Sequence, residues 1–196
     1  MSALNESTLK ALFLDARTYN GWLDKPVTDE QLQQIYDLTR MGPTAINTVP
    51  LRVVFVKHRE AKERLRPTLT GNNVDKTMNA PATAILAYDR NFHEQMPKLF
   101  PSRDLKSYFE GLPEQAREQT ASMNATLQAG YFILAARALG LDAGPMGGFN
   151  KEQVDAEFFR DEPWKSFLLV NLGYGDPKSL FPRNPRLSFE EAGRIE

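Results

Sequence analysis

The sequence predicts strands interleaved with helices around one sheet, an α/β or α+β arrangement. Three observations carry that reading. Short runs rich in β-branched and apolar residues occur at Arg52 to Lys57, Ala82 to Tyr88 and Phe167 to Tyr174. Stretches with apolar residues at helical spacing separate them, the longest running from Pro113 to Leu141. The chain is 41% hydrophobic and 25% charged, and its 196 residues can bury a full core in one domain spanning 1–196.

The elements follow in order. Leu4, Leu9, Leu12 and Phe13 suit one face of a first helix that leads into Arg17. Thr28 caps a second helix, Gln31 completes a capping box, and Val27 is placed to staple onto Leu32. Its apolar stripe is Leu32, Ile35, Tyr36 and Met41, and Gly42-Pro43 stops it. A short helix covers Glu60 to Leu65, and Pro67 interrupts it. Asn91 to Leu112 is broken by Pro97, Pro101 and Gly111 and reads as an inserted, lid-like excursion with short helices. In the long helix Ala116, Met123, Leu127, Tyr131, Leu134 and Ala138 recur at helical spacing. That helix is about 40 Å long at 1.5 Å per residue. Its alanines and Gly130 leave room for another helix to approach, and Gly140 closes it. A glycine-rich stretch, Gly144 to Gly148, leads to a helix from Lys151 to Phe159. After the last strand, the proline-rich tail Gly175 to Glu196 is extended before a short helix near Phe189.

Much chemistry is excluded at the outset. With no cysteine there is no disulfide, thiolate nucleophile or zinc thiolate. The net charge of -1 offers no surplus of cations for nucleic acid or an anionic membrane. His58 and His93 are the two histidines, and neither has a partner at metal-ligand spacing, so no metal is expected. Nucleophile elbow, Walker A and GxGxxG sequences are all lacking. The opening residues lack a basic region followed by an apolar core, and the longest apolar run, Tyr131 to Ala136, is far too short for a bilayer. A cytoplasmic protein is expected. What chemistry remains suits an organic cofactor, with the protein supplying position and electrostatics.

Four segments could hold one. Arg17-Thr18 within ARTYNGW pairs a planar guanidinium with a hydroxyl, a combination suited to phosphate. Gly42-Pro43-Thr44-Ala45-Ile46-Asn47-Thr48-Val49-Pro50 joins a helix to a strand. Asn73-Val74-Asp75-Lys76 precedes the Ala82 strand. Gly144-Pro145-Met146-Gly147-Gly148-Phe149 is the most distinctive, because glycine lets a main chain lie against an aromatic ring. PRLSFEEA, with Arg186, follows near the end. Read singly, each is ordinary: a surface arginine, a helix stop, a solvated lysine, a glycine-rich loop.

Taken in order along nearly the whole chain, these segments resemble the nitroreductase family of flavoproteins. Within it they are similar to the short branch of malonic semialdehyde reductase of pyrimidine breakdown and related NADH dehydrogenase/NAD(P)H nitroreductases. The resemblance implies an α+β fold, with an antiparallel-rich sheet wrapped by helices, and an interwoven homodimer with FMN sites at its interface. Ala135, Ala136 and Gly130 are the expected dimer core. Arg17, Thr18, Arg183 and Arg186 would serve the FMN phosphate. Asn20, Asn73 and Lys76 would stand near the flavin, with Lys76 stabilising charge on the reduced ring. Pro43, Thr44, Ala45 and Asn47 would reach the flavin of the partner, and Pro145, Met146, Gly147 and Gly148 would cross its face, with Gly148 at N5. The implied activity is ping-pong hydride transfer from NADH or NADPH through FMN to a nitro compound, quinone or aldehyde. The alternatives are a dedicated malonic semialdehyde reductase and a flavin-binding protein without turnover. This chain departs from the family pattern at Asn20 and Asn184, where relatives carry basic residues, and at Val49, where glutamine is common. Arg183, beside Asn184, is the compensating cation, and the departures place more weight on Lys76 and Arg186.

Overall fold

The computed structural model describes residues 3–196. Met1 and Ser2, the head of the segment read as lacking a secretory signal, lie outside the described residues. Four strands, β1 (Leu51–Val56), β2 (Ala82–Asp89), β3 (Asp142–Met146) and β4 (Trp164–Gly173), form one sheet in the order β1-β2-β4-β3. Every pairing is antiparallel, so the fold is α+β. A bulge in β4 opposite Leu86 and Ala87 lets Phe167 and Leu168 pack against the same cluster.

The central strands are buried on both faces. Ala82, Ala84 and Leu86 of β2 face α2 (Asp29–Thr39) and α7 (Glu114–Ala138), while Ile85 and Ala87 face α3 (Arg59–Leu65) and α8 (Lys151–Phe158). The capping box of α2 forms as expected: Thr28 Oγ1 accepts from Gln31 N–H and Gln31 accepts from Thr28 N–H. Val27 and Leu32 share the core, as a staple requires. Met41, however, is exposed, because the chain leaves the helix at Arg40.

The face that α7 buries differs from expectation. Ala121, Ala125, Ala129, Phe132, Ala135 and Ala136 turn inward, and Phe132 stacks on Phe55. Met123 (64% exposed), Leu127 and Ala138 point outward. The helix is apolar on two faces, and periodicity gives both the same signal. Alanines win the inner one because their small side chains let the backbone sit close to the sheet. Ala135 and Ala136, expected at a dimer core, are buried in the protomer's own core, whereas Gly130, Met123 and Leu127 stay exposed.

The first helix, α1 (Glu6–Leu9), runs into a π turn (Lys10–Leu14) and leaves Leu4, Leu9, Phe13 and Leu14 exposed. The 91–112 segment is not a free lid. Its α5 (Met96–Leu99) and α6 (Leu105–Glu110) build a small core of Phe92, Met96, Leu105 and Phe109 against Ala121 of α7. In this segment the T-shaped Phe92–Phe109 contact, with centroids 4.8 Å apart, is what periodicity could not show. Between these elements run α4 (Asn73–Met78) and, at the end, α9 (Phe189–Ala192). Among the described residues no helix is long and apolar enough to cross a membrane.

Candidate cofactor site

Arg17 leaves the first helix where the C-terminal tail crosses it, and the crossing forms a cavity of about 690 Å3. Arg17, Arg183 and Arg186 all line it, with Thr18 and Asn20, although these residues come from opposite ends of the chain. So does Arg137 from the last turn of α7, which sequence reasoning missed. An arginine at a helix end reads as a favourable charge on the helix dipole, and nothing local marks it as part of a site.

The electrostatics of this cavity are one-sided. Among the described residues its lining contains no Asp or Glu, and none of the four guanidiniums forms an ion pair. They hold backbone carbonyls instead. Arg17 donates to Phe181 O, Arg183 to Leu14 O (2.8 Å) and Ala16 O (2.9 Å), and Arg137 to Leu12 O (2.8 Å). Among the described residues Arg186 donates only to its neighbours Asn184 O and Pro185 O. The Arg137 Nε is buried and finds no hydrogen-bond partner among the described residues. Burial, opposed by Asp142 and aided by Arg183, lowers the Arg137 pKa. Four cations sharing one hollow whose lining carries no carboxylate, with Asp142 acting on Arg137 from outside it, fit a phosphate.

A second cluster gathers the ring-side candidates. Asn73 Nδ2 (2.9 Å) and Thr70 Oγ1 (2.8 Å) both donate to Gly148 O, and Thr77 Oγ1 lies 3.7 Å from Met146 Sδ. Trp22 Nε1 donates to Lys76 O at 3.1 Å, tying the ARTYNGW segment to α4. A Cβ at Gly148 would lie 2.5 Å from Asn73 Nδ2, so glycine there admits the Asn73 amide. At Gly147 a Cβ would meet nothing, and this is the open face of the turn. Asn20 Nδ2 turns to Ser179 O at 3.3 Å, which fastens the tail.

The Pro43–Asn47 loop joins neither group within the protomer. It packs on α7, where Asn124 Oδ1 accepts from Ala45 N–H (2.7 Å), Gln128 Oε1 from Leu51 N–H (3.0 Å), and Tyr131 OH donates to Pro43 O. Thr44 Oγ1 accepts from Val49 N–H, and Asn47 Nδ2 donates to Leu99 O. Ile46, Asn47 and Val49 all have positive φ, at 43°, 55° and 39°. For Ile and Val that is a strained backbone costing about 1–3 kcal/mol each, of the kind that gathers at binding loops. Gln128 and Asn124, both buried, are further residues that only the tertiary structure identifies.

His58 is exposed at the start of α3, as its sequence context implies. His93 is buried and lies with Glu94 and Glu110 in a group with ligand atoms within 4.8 Å of one another. Lys106 already places its ammonium 2.7 Å from Glu94 and 3.7 Å from Glu110, so the group is a salt-bridged cluster.

Comparison with known proteins gives the family of the chain. The Nitroreductase family model matches residues 16–174. A relative from Stenotrophomonas maltophilia, named "Putative NADH dehydrogenase/NAD(P)H nitroreductase", is 56% identical over 98% of both chains. One of the same name from Ralstonia nicotianae is 54% identical over the full length of both. Among solved structures, a "putative nitroreductase in complex with FMN" from Exiguobacterium sibiricum superposes with a TM-score of 0.84 at 20% identity, over 100% of this chain and 99% of that one. Arg183 and Arg186 lie beyond the matched range, so their place in the site rests on the cavity alone. On the match over residues 16–174 and these relatives, the chain belongs to the Nitroreductase family and is an oxidoreductase of that family.

Proposed function

We propose that this protein binds FMN across the arginine-lined cavity and the Gly147–Gly148 turn, and uses NADH or NADPH to reduce a small nitro, quinone or aldehyde acceptor. The observation that carries the reading is the convergence of Arg17, Arg137, Arg183 and Arg186 on one hollow without a carboxylate. The names of the relatives supply the donor, and the FMN complex of the Exiguobacterium protein supplies the cofactor.

Bound FMN would supply the redox chemistry, taking a hydride from the nicotinamide nucleotide and passing one to the acceptor. The chain's own residues bind and orient. The guanidiniums neutralise a dianionic phosphate, and Asn73 and Thr70 fix the Gly148 carbonyl so that the turn is rigid. Lys76 offers an ammonium from the same helix, preorganised for negative charge on a reduced ring. The direct test is a titration: FMN fluorescence quenching, followed by bleaching of bound flavin with NADPH. Absence of quenching at tens of micromolar removes the proposal, since even that affinity corresponds to only about 6 kcal/mol.

Lys76→Met is expected to lower the flavin reduction potential and slow hydride uptake while oxidised FMN still binds. An ammonium acting at partial screening contributes about 2 kcal/mol, or roughly 40 mV for a two-electron couple. An unchanged potential would return Lys76 to the class of surface lysines.

The proposed assembly is a homodimer, in which the strained Pro43–Asn47 loop serves the partner's flavin. Large apolar side chains stay exposed on the first helix, on α7 and on the tail at Phe181, Leu187 and Phe189. A ligand that binds only the assembled site must favour assembly. Sedimentation is therefore expected to show FMN shifting the chain toward dimer; a stable monomer that holds FMN normally contradicts this.

A further inference from the structure

We infer that Lys62, buried on α3, is the positioning residue that clamps the carboxyl end of α4 and so holds Asn73 and Lys76 in place. The role in flavin chemistry rests on the reading above, while the clamp itself does not.

α4 is a short helix of six residues, with no side-chain cap at its amino end. Helices so short are marginal without tertiary support. Its far end is closed from outside: the Lys62 ammonium donates to Thr77 O (3.0 Å), Met78 O (3.4 Å) and, most closely, Ala80 O. An ammonium has three donors and no acceptor, so three carbonyls match its inventory. Thr77 O and Met78 O belong to the last turn of α4, where carbonyls lack their usual helical partners, and Ala80 O lies just beyond it; Thr77 O also accepts from Ala80 N–H. Lys62 is 6% exposed.

No carboxylate accompanies this charge. On α3 the neighbouring Glu63 pairs with Arg66, and Arg64 pairs with Glu157 of α8; on α8 Asp155 pairs with Lys165. α4 contributes Asp75 and Lys76, and among the described residues none of these groups forms an ion pair with Lys62. Burying an uncompensated ammonium is costly where leucine or methionine would fill the same space. The arrangement makes sense if the carbonyls need the charge.

Titration separates this role from simple stability. Burial lowers the Lys62 pKa from 10.5 to about 8. Between those values the unfolded chain keeps the proton that the folded chain has lost. Folding stability attributable to Lys62 therefore rises with pH across that window. The clamp moves the other way, because a neutral amine has two N–H groups for three carbonyls. A residue that served stability alone would carry both quantities in the same direction.

The test begins on the ligand-free protein, by amide hydrogen exchange at pH 7. Lys62→Met is expected to speed exchange in Asn73–Met78 about 10- to 100-fold, the effect of losing charge-assisted hydrogen bonds on a local opening. Sheet amides stay as in the wild type, and Lys62→Gln is intermediate. In the FMN-loaded protein, hydride uptake breaks near pH 8 in the wild type and loses that break in Lys62→Met. Unchanged α4 exchange, or the same break in the variant, overturns the inference. Should both variants fail to fold, the wild type decides: α4 protection relative to the sheet must fall through about pH 8, and a flat ratio rejects the clamp. Loss of α4 protection together with failure to bind FMN in the wild type leaves the clamp standing and sinks the flavin reading.

Discussion

Arg17→Ala, Arg137→Ala and Arg186→Ala are each expected to weaken FMN binding about 10- to 100-fold, while riboflavin binds all three variants nearly as it binds the wild type. The range follows from about 1.5–3 kcal/mol for a hydrogen bond to a charged group. Riboflavin isolates the phosphate because it differs from FMN by that group alone. The Arg17→Ala, Arg186→Ala pair should lose less than the sum if both arginines hold one group. Arg137 is the sharpest case, since its buried Nε finds no partner among the described residues. Arg137→Lys keeps the charge but not the planar fork, so it recovers only part of the loss. Arg17 also tethers the tail through Phe181 O, which gives the opposite outcome a clear meaning. Equal losses for FMN and riboflavin would show that these arginines hold the tail in place and do not bind the phosphate. Isothermal titration with both ligands decides between the two.

The glycines of the turn are expected to separate fold from cofactor. A Cβ at Gly148 would lie 2.5 Å from Asn73 Nδ2 and 3.1 Å from Thr70 Oγ1, so Gly148→Ala must push the Asn73 amide off the Gly148 carbonyl. The atoms met are side-chain ends that can give way, so the expected cost is that of the displaced hydrogen bond, about 0.5–1.5 kcal/mol, and thermal stability and FMN affinity should fall together. A Cβ at Gly147 meets nothing within 4 Å, so Gly147→Ala should leave the melting temperature unchanged. If the flavin lies against that open face, the methyl group nonetheless lowers FMN affinity, by about tenfold or more for a displacement worth 1.4 kcal/mol. Melting curves and FMN titration of both variants give the answer. A Gly147→Ala protein that binds FMN like the wild type would move the ring away from this turn.

Local signals were legible where local chemistry decides. The Thr28–Gln31 capping box, the strands at Leu51–Val56 and Ala82–Asp89, and the helix ending before Gly140 all depend on residues a few positions apart. The site segments were legible as an ordered set, and the structure brings Arg17, Arg183 and Arg186 to one cavity and Asn73 to Gly148. Three matters were not legible. α7 has apolar residues on two faces, and only the sheet decides that the alanines turn inward while Met123 and Leu127 stay outside. The 91–112 segment has no periodicity of its own, because Phe92 and Phe109 find their partners across a small core. Arg137, Asn124, Gln128 and Lys62 look like ordinary helix residues, and their roles come from groups 15 to 125 positions away in the chain.

Near-neighbour patterns marked three of the four strands, the capped and the long helices, and the residue types able to hold a phosphate, while β3 read only as a glycine-rich stretch. The tertiary structure decided which helix face is buried, which arginines share a cavity, and which buried polar groups support the binding segments. The physical reason is range: capping and β-propensity act between near neighbours, whereas burial and electrostatic convergence depend on distances that only folding creates.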